Sequence, residues 1–89
     1  MSHYRVEATE RFEKDLKKLD RYTQKLIKGW IVKNLSHIED PRSKGKALKA
    51  NLSGLWRYCV GDYRLICKIE DSELVILALS IGHRREIYE

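Results

Sequence analysis

The stretch GLWRYCVGDYRLI, Gly54 to Ile66, decides the fold prediction for this chain. Apolar and polar residues alternate before and after Gly61-Asp62, and a short glycine-containing turn between two alternating runs is typical of a β-hairpin. The pattern therefore predicts two antiparallel strands joined at positions 61 and 62. Each strand carries an arginine, Arg57 or Arg64, where Thr or Val would suit a purely structural hairpin better.

Strand pairing predicts which of these side chains share a face of the sheet. With a two-residue turn, Cys59 lies opposite Arg64 and Arg57 lies opposite Ile66. All four side chains then project from one face, and Lys68 projects from the same face further along the second strand.

The same alternation of side chains between the two faces of the sheet predicts where Cys67 and His83 lie. Cys67 falls on the opposite face from Cys59, so we expect two free thiols and no disulfide. If the next turn is Asp71-Ser72, His83 lies on the face of the two arginines, whereas a turn one residue longer would move it to the other face.

The first half of the chain predicts one strand and two helices. Residues 4–9 alternate as a strand, and the apolar residues of 12–19 and 22–38 recur at helical spacing. Thr9 and Asp20 are suitable N-caps, and Asp40-Pro41 is expected to end the second helix. The apolar stripe expected to pack this helix on the sheet consists of Tyr22, Leu26, Ile27, Trp30, Ile31, Leu35 and Ile38.

The second half predicts a basic loop at 41–54, followed by strands at 55–60, 63–70 and 73–82. The last strand is apolar on both faces, which favours a place inside the sheet. Trp30 and Trp56 are expected in the core. The predicted fold class is α+β in the order β-α-α-β-β-β, with a helical hairpin packed on one mainly antiparallel sheet.

Length and composition favour one domain spanning residues 1–89, since a chain of 89 residues builds a single core. The longest apolar run, residues 74–81, is far shorter than the roughly 20 residues of a membrane-spanning helix. The N-terminus contains no apolar signal-peptide region. We therefore expect a cytoplasmic protein without a membrane partner.

The positive charge of the chain is concentrated in one segment. The net charge is +5, and residues 41–61 contain no Asp or Glu. The five cations of this segment are Arg42, Lys44, Lys46, Lys49 and Arg57. Such a patch favours binding of a polyanion, most commonly nucleic acid. A solvated basic loop without a partner is the alternative.

Arginine on a sheet face suits phosphate chemistry, because its planar guanidinium donates two parallel hydrogen bonds. Guanidinium groups can also stabilise the charge that develops on a phosphodiester during cleavage. RNA supplies its own nucleophile, the 2′-hydroxyl, and His or Tyr can transfer the protons. The sequence has neither metal-ligand spacing nor a glycine-rich phosphate loop, so we predict no metal and no cofactor. The alternative is that Arg57 and Arg64 are surface charges that pair with a partner and that His83 is inert.

The joint pattern LSGLWRY, GDYRLI and GHRREIY resembles the RelE/ParE superfamily of bacterial type II toxins, and most closely the ribosome-dependent mRNA interferases of the RelE and YoeB kind. The resemblance covers nearly the whole chain and implies a RelE-like toxin domain. It also implies an endoribonuclease that cleaves mRNA in the ribosomal A site and inhibits translation. Its expected partners are the ribosome, mRNA and a cognate RelB-like antitoxin.

The resemblance also implies roles for individual residues. The residues that match catalytic positions of the family are Arg57, Arg64, His83, Arg84 and Tyr88. The residues expected to bind RNA are Arg42, Lys44, Lys46, Lys49 and Lys68. The chain departs from the family at Lys46, where the YoeB-like branch has a glutamate, and at Cys59, where relatives usually have Arg or Lys.

Two other functions remain open from the sequence. A ParE-like inhibitor of DNA gyrase shares the fold and acts by binding a protein. An RNA-binding or antitoxin-binding module, inactive because of Cys59, is the second alternative.

Overall fold

The computed structural model describes residues 3–85 of the chain. It contains two helices, α1 (Glu10–Lys17) and α2 (Arg21–Asn34). Its strands are β1 (Arg5–Ala8), β2 (Lys46–Ala47), β3 (Trp56–Val60), β4 (Tyr63–Glu70) and β5 (Val75–His83). The α+β fold predicted from the sequence is confirmed.

The hairpin has the predicted register. Cys59 is paired with Arg64, and Arg57 is paired with Ile66. Gly61 has a φ of 59°, which is the left-handed conformation that a glycine adopts readily at the first central position of a two-residue hairpin turn. The turn therefore fixes which residues of β3 and β4 face the same side.

The two predicted helix caps are confirmed. The Oγ1 of Thr9 accepts the backbone N–H of Phe12 at 3.2 Å, and a carboxylate oxygen of Asp20 accepts the N–H of Thr23 at 3.2 Å. The end of α2 differs from the prediction, because the helix stops at Asn34 rather than at residue 38. His37 has a φ of 67°, so the chain leaves the helical conformation well before Pro41.

The sheet has the strand order β1-β5-β4-β3-β2, in which β1 runs parallel to β5 and the other neighbours are antiparallel. The expected interior position of β5 is confirmed, since this strand lies between β1 and β4. Both helices pack on one face. The core between the helices and this face includes Phe12, Leu16, Ile27, Ile31, Leu35, Tyr58, Val60, Leu65, Cys67, Ile76, Ala78 and Ile81.

The apolar stripe of α2 is narrower than predicted. Tyr22 is 75 % exposed and Leu26 is 47 % exposed, whereas Ile27 and Ile31 are buried. At 100° per residue, Tyr22 projects about 180° away from Ile31, so it cannot reach the sheet. Trp30 is half-buried and packs against the core, as predicted.

The basic loop is partly structured, which the sequence analysis did not predict. Two 3₁₀ turns, Pro41–Ser43 and Ala50–Leu52, flank the two-residue strand β2. β2 forms the fifth strand of the sheet and pairs with β3 at the edge. Within residues 3–85 no helix has both the length and the apolar character required to cross a bilayer.

Candidate nucleic-acid interface

The part of the sheet formed by β2, β3 and β4 carries four cations on the face opposite the helices. Lys46 is paired with Arg57, and Arg57 with Ile66, so these three side chains form one row across the strands. Cys59 and Arg64 form the neighbouring row. We call the surface formed by Lys46, Arg57, Arg64 and Lys68 the cationic face.

The spacing within the cationic face suits a phosphodiester. Directly paired residues have Cβ atoms about 5 Å apart, and diagonal neighbours such as Arg57 and Arg64 are roughly 7–8 Å apart. Two guanidinium groups at this spacing can reach the oxygens of one phosphate.

Arg57 is the most buried of these cations, with 8 % of its surface exposed, and Ile66 beside it is 5 % exposed. Electrostatic attraction to an anion is stronger where solvent is excluded. Arg57 is therefore the residue of this face whose charge acts most strongly at short range. Its burial could not be predicted from sequence, since Arg is usually exposed.

The turn between β3 and β4 brings Arg64 and Arg84 to the same end of the sheet. The Nη1 of Arg64 donates to the carbonyl oxygens of Gly61 and Tyr63 at 3.4 and 3.3 Å. The backbone N–H of Arg84 donates to the carbonyl oxygen of Asp62 at 2.8 Å. The Arg84 guanidinium also lies 3.9 Å from the Asp62 carboxylate.

The predicted placement of His83 on the arginine face is wrong. His83 is paired with Tyr63, and the residue opposite Arg64 is Gly82. The turn before β5 keeps the predicted parity at Val75 and Leu77, but a register shift between Ile66 and Cys67 then reverses the parity of the last residues of β5.

His83 instead contacts the Tyr63 ring edge-on, with the ring centroids 5.5 Å apart. Its Nδ1 accepts the backbone N–H of Arg85 at 3.2 Å. In the neutral ring the hydrogen therefore lies on Nε2, which is left as a donor. Tyr88 lies outside the described residues.

Arg42 is held far from the arginines of the hairpin. Its guanidinium forms two hydrogen bonds of 3.0 Å to the two carboxylate oxygens of Asp71, in the turn between β4 and β5. This contact lowers the pKa of Asp71 below its usual range. Arg42 was predicted to bind RNA, and the structure shows it in an intramolecular ion pair.

The other predicted RNA-binding lysines are exposed. Lys46 lies on β2 beside Arg57, and Lys44 and Lys49 flank β2. Lys68 lies 3.2 Å from the Glu70 carboxylate, which partly offsets its charge. The position of Lys46 on the cationic face was not predicted, because a two-residue strand leaves no alternating pattern to detect.

Gly45 allows β2 to approach β3. Its φ is 79°, and a Cβ at this position would clash with the carbonyl oxygen of Arg57. The Trp56 indole N–H also donates to the Lys44 carbonyl oxygen at 2.7 Å. These two contacts keep Lys46 in register with Arg57.

The two cysteines are free thiols, as predicted. Cys59 is exposed on the side of the cationic face, and Cys67 is buried on the helix side. Burial raises the pKa of the Cys67 thiol to about 12. In the part of the chain that the structure describes, no three His, Cys, Asp or Glu side chains are gathered where they could hold a metal ion.

Comparison with known proteins identifies the family to which the chain belongs. The sequence model of the ParE toxin family, from type II toxin–antitoxin systems of the parDE kind, matches residues 6–88. The chain belongs to this toxin family. The predicted membership of the RelE/ParE superfamily is therefore confirmed.

Relatives of this toxin have RelE-type names. Toxin RelG of Mycobacterium tuberculosis is 31 % identical over 85 residues, covering 96 % of this chain and 95 % of RelG. A crystal structure of the RelBE2 toxin–antitoxin complex from the same organism matches with a TM-score of 0.84 and 30 % identity, covering 94 % of each chain. The archaeal RelE–RelB complex of Pyrococcus horikoshii OT3 matches with a TM-score of 0.69 and 26 % identity, covering 96 % of this chain and 99 % of that one.

Proposed function

We propose that this toxin is a ribosome-dependent, metal-independent endoribonuclease that cleaves mRNA in the A site and thereby inhibits translation. The observation that carries the proposal is that Lys46, Arg57 and Arg64 lie on one sheet face, with Arg84 at its margin. A face of this kind is complementary to an RNA backbone.

In the proposed reaction Arg57 and Arg64 hold the scissile phosphate. The 2′-oxygen of the preceding ribose attacks phosphorus, and the bond from phosphorus to the 5′-oxygen breaks. The 2′-hydroxyl proton passes to a base, and an acid protonates the leaving 5′-oxygen, which leaves a 2′,3′-cyclic phosphate. The guanidinium groups stabilise the negative charge on the phosphate oxygens as the bonds change.

His83 and Tyr88 are the candidates for proton transfer in this proposal. The Nε2–H of the neutral His83 ring can donate a hydrogen bond to the leaving 5′-oxygen, and only the imidazolium form could transfer a proton to it. His83 lies on the helix side of the sheet, whereas Arg64 lies on the cationic face. The structure therefore supports the role of Arg64 in catalysis better than the role of His83.

We also propose an antitoxin of the RelB kind as the regulatory partner. The solved relatives from M. tuberculosis and P. horikoshii are both toxin–antitoxin complexes. An acidic segment that covered the cationic face would block access of RNA. The proposed site of action is the ribosome in the cytoplasm.

Inhibition of DNA gyrase is the second candidate function. It is favoured by membership of the ParE toxin family of parDE systems, and by Cys59, which places a neutral side chain beside the two arginines. A variant of the nuclease impaired by Cys59, which binds RNA or antitoxin without cleavage, is consistent with the same residue.

Primer extension on mRNA from cells that express the chain tests the proposal. We expect cuts within codons of translated mRNA that are absent with Arg64→Ala. A purified-gyrase supercoiling assay run in parallel separates the second candidate. Growth inhibition without mRNA cuts, together with loss of supercoiling, would overturn the nuclease proposal. RNA binding with neither effect would identify the impaired variant.

A further inference from the structure

The segment of residues 40–46 lies between the helical hairpin and strand β2, and it ends on the cationic face. We call this segment the strap. Its first part is the 3₁₀ turn Pro41–Ser43, which Asp40 caps by accepting the backbone N–H of Arg42 at 3.0 Å. Its last residue, Lys46, begins β2 and is paired with Arg57.

Three side chains of the sheet region hold the strap along its length. The Tyr58 hydroxyl donates to the Pro41 carbonyl oxygen at 2.6 Å, and the Trp56 indole donates to the Lys44 carbonyl oxygen at 2.7 Å. Between these two contacts, Asp71 accepts the two hydrogen bonds of the Arg42 guanidinium.

The Asp71 carboxylate is itself fixed. The Tyr4 hydroxyl donates to its Oδ1 at 2.6 Å, and Tyr4 is 8 % exposed. A carboxylate that accepts a hydrogen bond from a buried tyrosine and two from a planar guanidinium has little orientational freedom. The Arg42–Asp71 contact is thus a defined anchor between the strap and the β4–β5 turn.

Arg42 is too distant to share a phosphate with Arg64. Asp71 follows the last residue of β4, and Arg64 is the second residue of that strand. Arg64 and Glu70 are six positions apart along the strand, a length on the order of 20 Å. The charge of Arg42 therefore lies at the opposite end of β4 from the hairpin turn.

We infer that Arg42 is a positioning residue, which acts through Asp71 to anchor the strap and so keeps Lys46 in register with Arg57, and that it does not contact RNA. The inference rests on the proposed function in one respect, because it assumes that Lys46 contacts the RNA backbone. The anchoring itself does not depend on catalysis.

The test compares the purified variants Arg42→Gln, Asp71→Asn and the double variant that carries both substitutions. Binding is measured with a short fluorescein-labelled single-stranded RNA over a range of salt concentrations. Glu73→Gln is the matched control, because it removes an exposed carboxylate from the same turn.

Removing an acidic residue should by itself strengthen RNA binding, as we expect for Glu73→Gln. If Asp71 positions the strap, Asp71→Asn should instead weaken RNA binding. We expect Asp71→Asn and Arg42→Gln to weaken binding alike, by roughly three- to tenfold, and the double variant, whose net charge equals that of the wild type, to bind as weakly as either single variant. Tighter binding by Asp71→Asn, or binding by the double variant as tight as that of the wild type, would overturn the inference.

Hydrogen exchange separates this inference from the proposed function. The Leu48 backbone N–H donates to the Leu55 carbonyl oxygen at 3.1 Å, and its exchange reports on the β2–β3 contact without RNA. We expect faster exchange in both single variants and an equal increase in the double variant. Unchanged exchange would overturn the inference, whereas a wild type that binds no RNA would count against the proposed function alone.

Discussion

Cys59 and Arg64 lie directly opposite each other on the β3–β4 hairpin, and Arg57 occupies the adjacent row of the same face. Cys59 is exposed at this position. The cationic face is therefore interrupted by a neutral side chain at the point where its two arginines come closest. A third cation at this position would lie within reach of the same phosphate.

Replacing Cys59→Arg is expected to increase mRNA cleavage and growth inhibition. An added guanidinium on a phosphate-binding face can supply roughly 2–4 kcal/mol of transition-state stabilisation. Primer extension at matched expression levels measures the effect. Cys59→Ser is the control, because it changes the thiol without adding charge. Lower cleavage by Cys59→Arg would show that the face is not catalytic.

Replacing Arg64→Ala is expected to abolish cleavage and leave the fold intact. Its side chain is half-buried, and we expect the free energy of unfolding to change by about 1 kcal/mol or less. Urea denaturation and a growth assay give the two readouts. Arg21→Ala, at the exposed start of α2, is the matched control and should remain toxic. An Arg64→Ala variant that is still fully toxic would refute the assignment.

The hairpin was predictable because its information is local. A two-residue turn and strict alternation fix the register of Cys59 and Arg57 without reference to the rest of the chain. The face of His83 was predicted wrongly because it is not determined locally. Its face depends on a register shift in the β4–β5 pairing, and one extra residue in a strand leaves no signal in an apolar run.

The positive charge of the basic loop could be predicted from the sequence, but its structure could not. The arrangement of Lys46 depends on tertiary contacts, such as the close approach of Gly45 to Arg57. The Arg42–Asp71 pair joins residues 29 positions apart, and sequence patterns carry no information about such a pairing. The exposed Tyr22 shows the same limit, since apolar spacing alone does not set how wide a buried stripe is.

The lysines of the basic loop should give RNA binding a steep salt dependence. Each phosphate contact contributes a slope of roughly −0.7 in a plot of log affinity against log salt for a single strand. Replacing Lys44, Lys46 and Lys49 by Ala is therefore expected to flatten the slope by about 2. The matched control replaces Lys14, Lys17 and Lys25, which lie on the helices and are exposed. An equal change of slope in both variants would mean that net charge, and not this loop, determines binding.

The two thiols should differ in reactivity. Cys67 is 0 % exposed and burial raises the pKa of its thiol to about 12, so its thiolate is scarce at pH 8. Cys59 is exposed. We expect a disulfide reagent to modify one thiol per chain in the native protein and both in denaturant. In Cys59→Ser the native protein should not react, and rapid reaction of that variant would contradict the burial of Cys67.

The Arg42–Asp71 contact should make stability depend on pH in the acid range. The Arg42 guanidinium, and next the Tyr4 hydroxyl, hold the pKa of Asp71 below its ordinary value of 3.8. Because the folded-state pKa is the lower one, the carboxylate contributes stability above pH 3.8, and this contribution is lost as the pH falls through the folded-state value.

We therefore expect Asp71→Asn to lower the free energy of unfolding at neutral pH and to approach the wild type as the pH falls below 3.8. Urea denaturation at a series of pH values measures the difference between the two proteins. Glu73→Gln should run parallel to the wild type if the effect belongs to the Asp71 contact and not to any carboxylate of the turn. A difference between Asp71→Asn and the wild type that stays constant down to the lowest pH would show that the lost contribution is packing rather than charge.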